Sequence, residues 1–175
     1  ASSSNSNIVV AVANDGDINR TMFSNNGINW TTIQSAGSYE WNSVIWSDFL
    51  NLFVAVASSG DGNRVMTSTN GIEWNIQITP ANINWESVVS SNNLLAAVAS
   101  TGTSNRVMTS PDAINWTLKS DASNYNWQSL CWSPTLNLFI AVANSGNITY
   151  KENDSGAVIN SRIMTSIDGR IWTAS

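Results

Sequence analysis

Four segments of the chain, 8–13, 52–57, 94–99 and 138–143, are runs of Val, Leu, Ile, Phe and Ala with no polar residue among them. Short runs rich in β-branched residues and bounded by turn formers predict strands rather than helices. Their lack of polar alternation predicts strands covered on both faces. Each run is followed by a second strand pattern that opens on arginine: Arg20-Thr21-Met22-Phe23-Ser24, Arg64-Val65-Met66-Thr67-Ser68, Arg106-Val107-Met108-Thr109-Ser110 and Arg162-Ile163-Met164-Thr165-Ser166. A tight turn then leads to a third apolar signal, Ile28 to Trp30, Ile72 to Trp74, Ile114 to Trp116 and Ile171-Trp172. The last three runs are also preceded by a tryptophan-led strand: Trp41-Asn42-Ser43-Val44-Ile45-Trp46-Ser47, Trp85-Glu86-Ser87-Val88-Val89-Ser90-Ser91 and Trp127-Gln128-Ser129-Leu130-Cys131-Trp132-Ser133.

The chain is therefore one pattern written four times. Ala11, Ala55, Ala97 and Ala141 mark equivalent positions about 44 residues apart, and such a period built from four short strands is the signature of a β-propeller. The expected fold is all-β: a single propeller domain over 1–175, with four-stranded units near 1–34, 35–78, 79–120 and 121–175. The first unit is incomplete, because its tryptophan-led strand would fall just before residue 1. One option is that residues 1–7 supply no more than a degenerate inner strand. The alternatives are a neighbouring chain that completes the blade, or a longer propeller of which this is a segment. Ser24-Asn25-Asn26-Gly27, Ser68-Thr69-Asn70-Gly71, Ser110-Pro111-Asp112-Ala113 and Ser166-Ile167-Asp168-Gly169 read as tight turns, since Asn-Gly and Asp-Gly tolerate positive φ. Ala113 stands where glycine is expected, so that turn is either strained or of another type.

The string Ser-x-Asn/Asp-Gly-Ile-x-Trp resembles a shortened Asp-box, the hairpin motif of BNR-type and sialidase-like propellers, one residue tighter than the usual form. The fuller unit, with its Leu-Phe-x-Ala-Val-Ala run and Arg-x-Met-Thr-Ser strand, is similar to propeller repeats of phage, viral and bacterial surface proteins. The resemblance covers essentially the whole chain. Because the Asp-box is a structural element in that family, it implies a fold more than an activity.

Composition narrows the function classes. Hydrophobic residues make up 42 % of the chain, enough for a packed core. Charged residues are 11 %, well below the roughly 25 % usual for soluble domains. Asn and Ser carry the polarity instead, either as turn formers or as hydrogen-bonding groups for hydroxyl-rich ligands. The net charge of −5 and the absence of any Lys/Arg cluster argue against nucleic acid. No apolar stretch is long enough to predict a membrane-spanning helix, and Ala1-Ser2-Ser3-Ser4 has no signal-peptide pattern. Cys131, the one cysteine, sits in a strand pattern and is expected to be a buried packing thiol.

Histidine is absent, which excludes mechanisms that need an imidazole base. Arg20, Arg64, Arg106 and Arg162 could be mistaken for a sialidase arginine cluster, but each occupies the same place in its unit, which favours a structural role. No opposed carboxylate pair of the kind glycosidases use is identifiable, so no catalytic residue is assigned and the protein is expected not to be an enzyme. Asp15-Gly16-Asp17-Ile18-Asn19 spaces oxygens like the start of a calcium loop yet lacks its later ligands, so no metal or other cofactor is expected.

Nine tryptophans remain to be explained. Most recur at fixed repeat positions and read as core. Trp46 and Trp132 differ, because the third unit has Ser90 at their position. Five residues beyond the leading tryptophan, they are expected on the opposite sheet face. An exposed indole offers a flat apolar platform for a sugar ring, and packing in the core is the other reading of these two residues. A second irregularity lies in the fourth unit. Arginine follows nine residues after Ala11, Ala55 and Ala97 but twenty-one after Ala141, an insertion containing Tyr150, Lys151, Glu152, Asn153 and Asp154. Symmetry-breaking loops often carry specificity. The candidate ligand residues are therefore Trp46, Trp132, Tyr150, Asn153 and Asp154. The expected function is a surface or secreted binding module, lectin-like, with glycans or glycoconjugates as partners, acting extracellularly or on a cell or virion surface. The rival is a fibre, filament or virion assembly subunit that self-associates by strand addition. An Asp-box glycoside hydrolase stands third.

Overall fold

The computed structural model describes residues 1–120, 122–146, 151–152, 158–159 and 162–174. Among them, every regular element is a strand. Sheet I contains β1 (Val9–Val12), β2 (Thr21–Ser24) and β3 (Thr31–Ile33). Sheet II contains β4 (Trp41–Ser47), β5 (Leu52–Ala57), β6 (Val65–Ser68) and β7 (Asn75–Gln77). Sheet III contains β8 (Trp85–Ser90), β9 (Leu95–Ala99), β10 (Val107–Ser110) and β11 (Thr117–Lys119). Sheet IV contains β12 (Tyr125–Ser133), β13 (Leu138–Gly146), β16 (Ile163–Ser166) and β17 (Thr173–Ala174). A separate ribbon of β14 (Lys151–Glu152) and β15 (Val158–Ile159) falls within the expected insertion. All pairings are antiparallel, and strands within each sheet lie in chain order.

The sheets pack face to face in succession, β1 against β4, β4 against β8 and β8 against β12. No comparable packing joins sheet IV to sheet I among the described strands, so they form an arc. The apolar runs fill its interior as their missing alternation predicts. Val54, Val56 and Val65 of sheet II lie in one cluster with Trp85, Val88, Ala97, Ala99 and Met108 of sheet III. Ala96, Val98 and Val107 of sheet III cluster likewise with Trp127, Leu130, Phe139 and Met164 of sheet IV. Serines stitch the same seams: the Val88 N–H donates to Ser43 Oγ at 3.3 Å, and the Leu130 N–H donates to Ser87 Oγ at 3.2 Å.

A register shift follows each leading tryptophan, between Trp41 and Ser43, Trp85 and Ser87, and Trp127 and Ser129. One extra residue reverses the alternation of side chains beyond it. Trp46 therefore lies on the same face as Trp41, opposite Phe53, and Trp132 on the same face as Trp127, opposite Phe139. The opposite-face expectation for these two residues is thus overturned by the bulge.

The first sheet acquires a partial fourth strand from the chain's own start. Ser2 bridges Val9, the Val10 N–H donates to the Ala1 carbonyl at 2.8 Å, and the Ser3 N–H donates to the Ile8 carbonyl at 2.9 Å. Of the three options for completing this sheet, the pairing corresponds to a degenerate inner strand from residues 1–7. It occupies the edge on which strand addition by a neighbouring chain was to complete the sheet.

Two repeated devices hold the turns. Guanidinium groups donate to backbone carbonyls: Arg64 to Gly60 at 2.8 Å and Ser58 at 2.5 Å, Arg106 to Gly102 at 2.8 Å and Ser100 at 3.1 Å, Arg20 to Gly16 at 2.7 Å, and Arg162 to Asn144 at 2.7 Å. In the turns that join the Arg-led strand to the last strand of each sheet, Ser24, Ser68 and Ser166 accept the N–H of Gly27, Gly71 and Gly169 on their hydroxyls. Asn26, Asn70, Asp112 and Asp168 accept the two backbone N–H groups that follow. Ala113 takes φ of 63°, the same left-handed conformation as Gly27, Gly71 and Gly169, so the turn keeps its type and the alanine bears the strain.

Cys131 is exposed, contrary to the buried thiol expected of it. Its repeat equivalents Ile45 and Val89 pack against the next sheet in the arc. Among the described strands no sheet lies on that face of sheet IV.

Candidate functional site

The inner strands β4, β8 and β12 run side by side and bring position 46 of one sheet next to position 90 and position 132 of the others. Trp46 packs edge-on against Phe53, with ring centroids 4.8 Å apart, and Trp132 against Phe139 at 4.6 Å. Between them Ser90 has no ring to offer; its hydroxyl meets Ser47 Oγ at 3.0 Å. The missing indole opens a cleft of about 410 Å³ lined by Trp46, Asp48, Phe49, Ser90, Asn92 and Trp132. Each indole is half-buried, fixed on one side by its phenylalanine.

The two tryptophans are held differently. The Trp46 N–H donates to Asp48 Oδ1 at 2.9 Å and to Ser4 Oγ at 3.1 Å, and Ser4 also bonds Asp48. In the fourth unit Pro134 stands where Asp48 does, and the Trp132 N–H is buried without an acceptor among the described residues. An unmet buried donor costs about 1–3 kcal/mol, which makes the Trp132 side of the cleft the less settled one.

Ser91 and Trp132 also line a second cleft, of about 600 Å³, along the seam between sheets III and IV. This one extends outward to Thr117 and Lys119 of β11 and to Asp168 and Arg170 of the turn between β16 and β17. Backbone N–H groups of Arg170 and Ile171 hold the exposed Asp168 carboxyl below its ordinary pKa. The two clefts adjoin, with Ser91 and Trp132 in the walls of both. Among the described residues each cleft is lined by one carboxylate, Asp48 in the first and Asp168 in the second, and each of these is already a hydrogen-bond acceptor. No group of three or more Cys, Asp and Glu side chains converges on a metal-binding geometry among the described residues.

Of the residues singled out in the sequence, Trp46 and Trp132 come together in the first cleft. Tyr150, Asn153 and Asp154 lie outside the described residues. Sequence reasoning missed Lys119 and Arg170. Arg170 had a signal: it stands where the other units carry Ile28, Ile72 and Ile114.

No protein-family description matches the chain, and no curated protein sequence matches it. Solved structures do. A GH74 enzyme from Niastella koreensis superposes with a TM-score of 0.68 at 20 % identity, over 97 % of this chain and 27 % of its own. A chain of a nidogen/laminin complex gives 0.64 at 11 % identity, over 95 % of this chain and 60 % of its own. YCF48 from Cyanidioschyzon merolae gives 0.50 at 19 % identity, over 77 % and 36 %. This chain therefore spans less than two thirds of the length of each. The neighbours are β-propeller-type proteins, and at these identities they establish a propeller-like fold and nothing about chemistry.

Proposed function

We propose that the chain is a propeller arc of four Asp-box-like units that acts as a non-enzymatic, glycan-binding module at a cell or virion surface. The observation that carries this reading is the cleft opened by Ser90, in which two indoles from different sheets line one space among hydroxyl and amide side chains. Sugar rings bind by laying apolar C–H faces on aromatic planes while neighbouring polar groups take up their hydroxyls. Trp46 and Trp132 supply the planes, and Ser90 and Asn92 the hydrogen-bonding groups. A hydrolase would need two carboxylates facing each other across a cleft, and among the described residues each cleft is lined by one. The assembly reading loses support, because the inner edge of β1 already pairs with residues 1–3.

The test is a glycan array followed by titration monitored through tryptophan fluorescence. Binding that falls at least tenfold in Trp132→Ala and in Trp46→Ala, with far-ultraviolet circular dichroism unchanged, is the expected result. An array blank for folded protein overturns the reading.

A further inference from the structure

From these adjoining clefts we infer that the ligand is an anionic oligosaccharide, its acidic group seated between Lys119 and Arg170. This rests on the glycan-binding reading and adds the charge class of the ligand. The chain has seven Lys and Arg residues. Four of them, Arg20, Arg64, Arg106 and Arg162, have guanidinium groups that donate to backbone carbonyls in their own turns. Of the remaining three, Lys119 and Arg170 line the same cleft, on adjacent sheets. Neither side chain makes a hydrogen bond or ion pair among the described residues, in a chain whose net charge is −5. Two uncommitted cations meeting in one cleft of an acidic, cation-poor protein form a local field opposite in sign to the rest of the molecule.

Geometry joins that field to the aromatic cleft. Trp132 and Ser91 belong to both cavities, so a chain of sugars on the indoles continues past Trp132 toward β11 and the Asp168 turn. Asp168 is the opposing charge. Its Oδ1 accepts the Arg170 and Ile171 N–H groups at 2.8 and 3.2 Å, which holds it in the turn, and the two cations exceed its single charge by one. Thr117 and Asn137 add neutral hydrogen-bonding groups along the wall. A carboxylate or sulfate would take charge-assisted hydrogen bonds from Lys119 and Arg170; a neutral sugar leaves both without a partner.

Three oligosaccharides of equal length test this by calorimetry: a polyuronate, a sulfated one and an uncharged glucan. The expected result is that an anionic ligand binds at least tenfold tighter than the glucan in about 50 mM salt, with most of that gap lost near 0.5 M as exposed charges are screened. Whichever anion binds tighter identifies the group. Lys119→Gln and Arg170→Gln should each weaken the anionic ligand by about fivefold and leave the glucan unchanged, whereas Trp132→Ala should weaken both. Equal affinity for charged and neutral ligands, or glutamine variants without effect, overturns the anionic assignment while leaving glycan binding intact. Silence from all three ligands overturns the anionic assignment, and a blank glycan array for the same folded protein overturns both.

Discussion

Val56, Val98 and Val142 hold the same repeat position on three successive sheets, yet the first two are fully buried and the third is 42 % exposed. The same division runs through the neighbouring positions. Val65 and Val107 are buried, while their equivalent Ile163 is 45 % exposed; Ile45 and Val89 pack on a following sheet, and Cys131 does not. At the other end of the arc, Trp30 is 40 % exposed, whereas its equivalent Trp172 is 4 %. The repeat thus encodes which side chain is presented, and the adjoining sheet decides whether that side chain contributes stability. A buried valine contributes on the order of 1.5–3 kcal/mol relative to an exposed one, so equivalent residues in this chain should have very unequal worth.

The largest effect should separate the tryptophans. Trp172→Ala removes an indole from the seam between sheets III and IV and should cost about 3–5 kcal/mol, against less than about 1.5 for Trp30→Ala. Urea midpoints at constant m-value measure both, and equal costs would break the comparison. Next, Val98→Ala should destabilise by about 2 kcal/mol and Val142→Ala by about 0.5 or less. A Val142 variant as damaging as Val98 would mean that its face is covered in solution. Glycines sharpen the same point through the backbone. Gly71 and Gly27 both have φ near 70°, but an added Cβ at Gly71 would come within 2.7 Å of Val10 Cγ2, while at Gly27 nothing lies within 4 Å. Gly71→Ala should therefore exceed Gly27→Ala by about 1–3 kcal/mol, the overpacking added to a shared left-handed strain.

The smallest effect distinguishes turns by their acceptor. Burial pushes the Asp112 carboxyl up, but hydrogen bonds from Asn115, Ile114 and Ser110 outweigh it and bring the group down to about 2. A depressed carboxyl stabilises the fold above its unfolded pKa and loses that contribution as pH falls through the folded value. Stability contributed by Asp112 should hold above about pH 4 and disappear toward pH 2, with Asp168 shifted in the same direction. Asn26 and Asn70 make equivalent turns with a side chain that does not titrate. Asp112→Asn should accordingly flatten the acid limb of a thermal-melt profile, and an unchanged limb would assign the acid response elsewhere.

Much of the fold was legible because the signals were local. Leu52–Ala57 and its equivalents read as strands from composition, and the Asn-Gly and Asp-Gly turns from their tolerance of positive φ. The side of the sheet on which Trp46 and Trp132 lie was not legible. A one-residue bulge after Trp41 and Trp127 inverts the count, and nothing in Asn42 or Gln128 announces it. Cys131 was misread because burial depends on the neighbouring sheet as well as on the strand carrying the residue. For the site, the departure of Ser90 from tryptophan was visible, but the cleft it opens required adjacent sheets to bring residues 46, 90 and 132 together. Lys119 and Arg170 are about fifty residues apart, on different sheets, and a contact of that range leaves no local trace.

The chain-order arrangement of strands has a kinetic corollary. Every hydrogen-bonded pair within a sheet joins consecutive strands or, in sheet IV, strands separated by one small ribbon. The loops to be closed are mostly short, so each sheet can register itself without waiting for a distant partner. Its apolar faces, however, become worth burying when the neighbouring sheet arrives. On the ribosome, the face carrying Val54, Val56 and Val65 is complete before Trp85 and Val88 have been synthesised to cover it. Synthesis order thus becomes assembly order, and a pause between two units prolongs the exposure of one apolar face at a time.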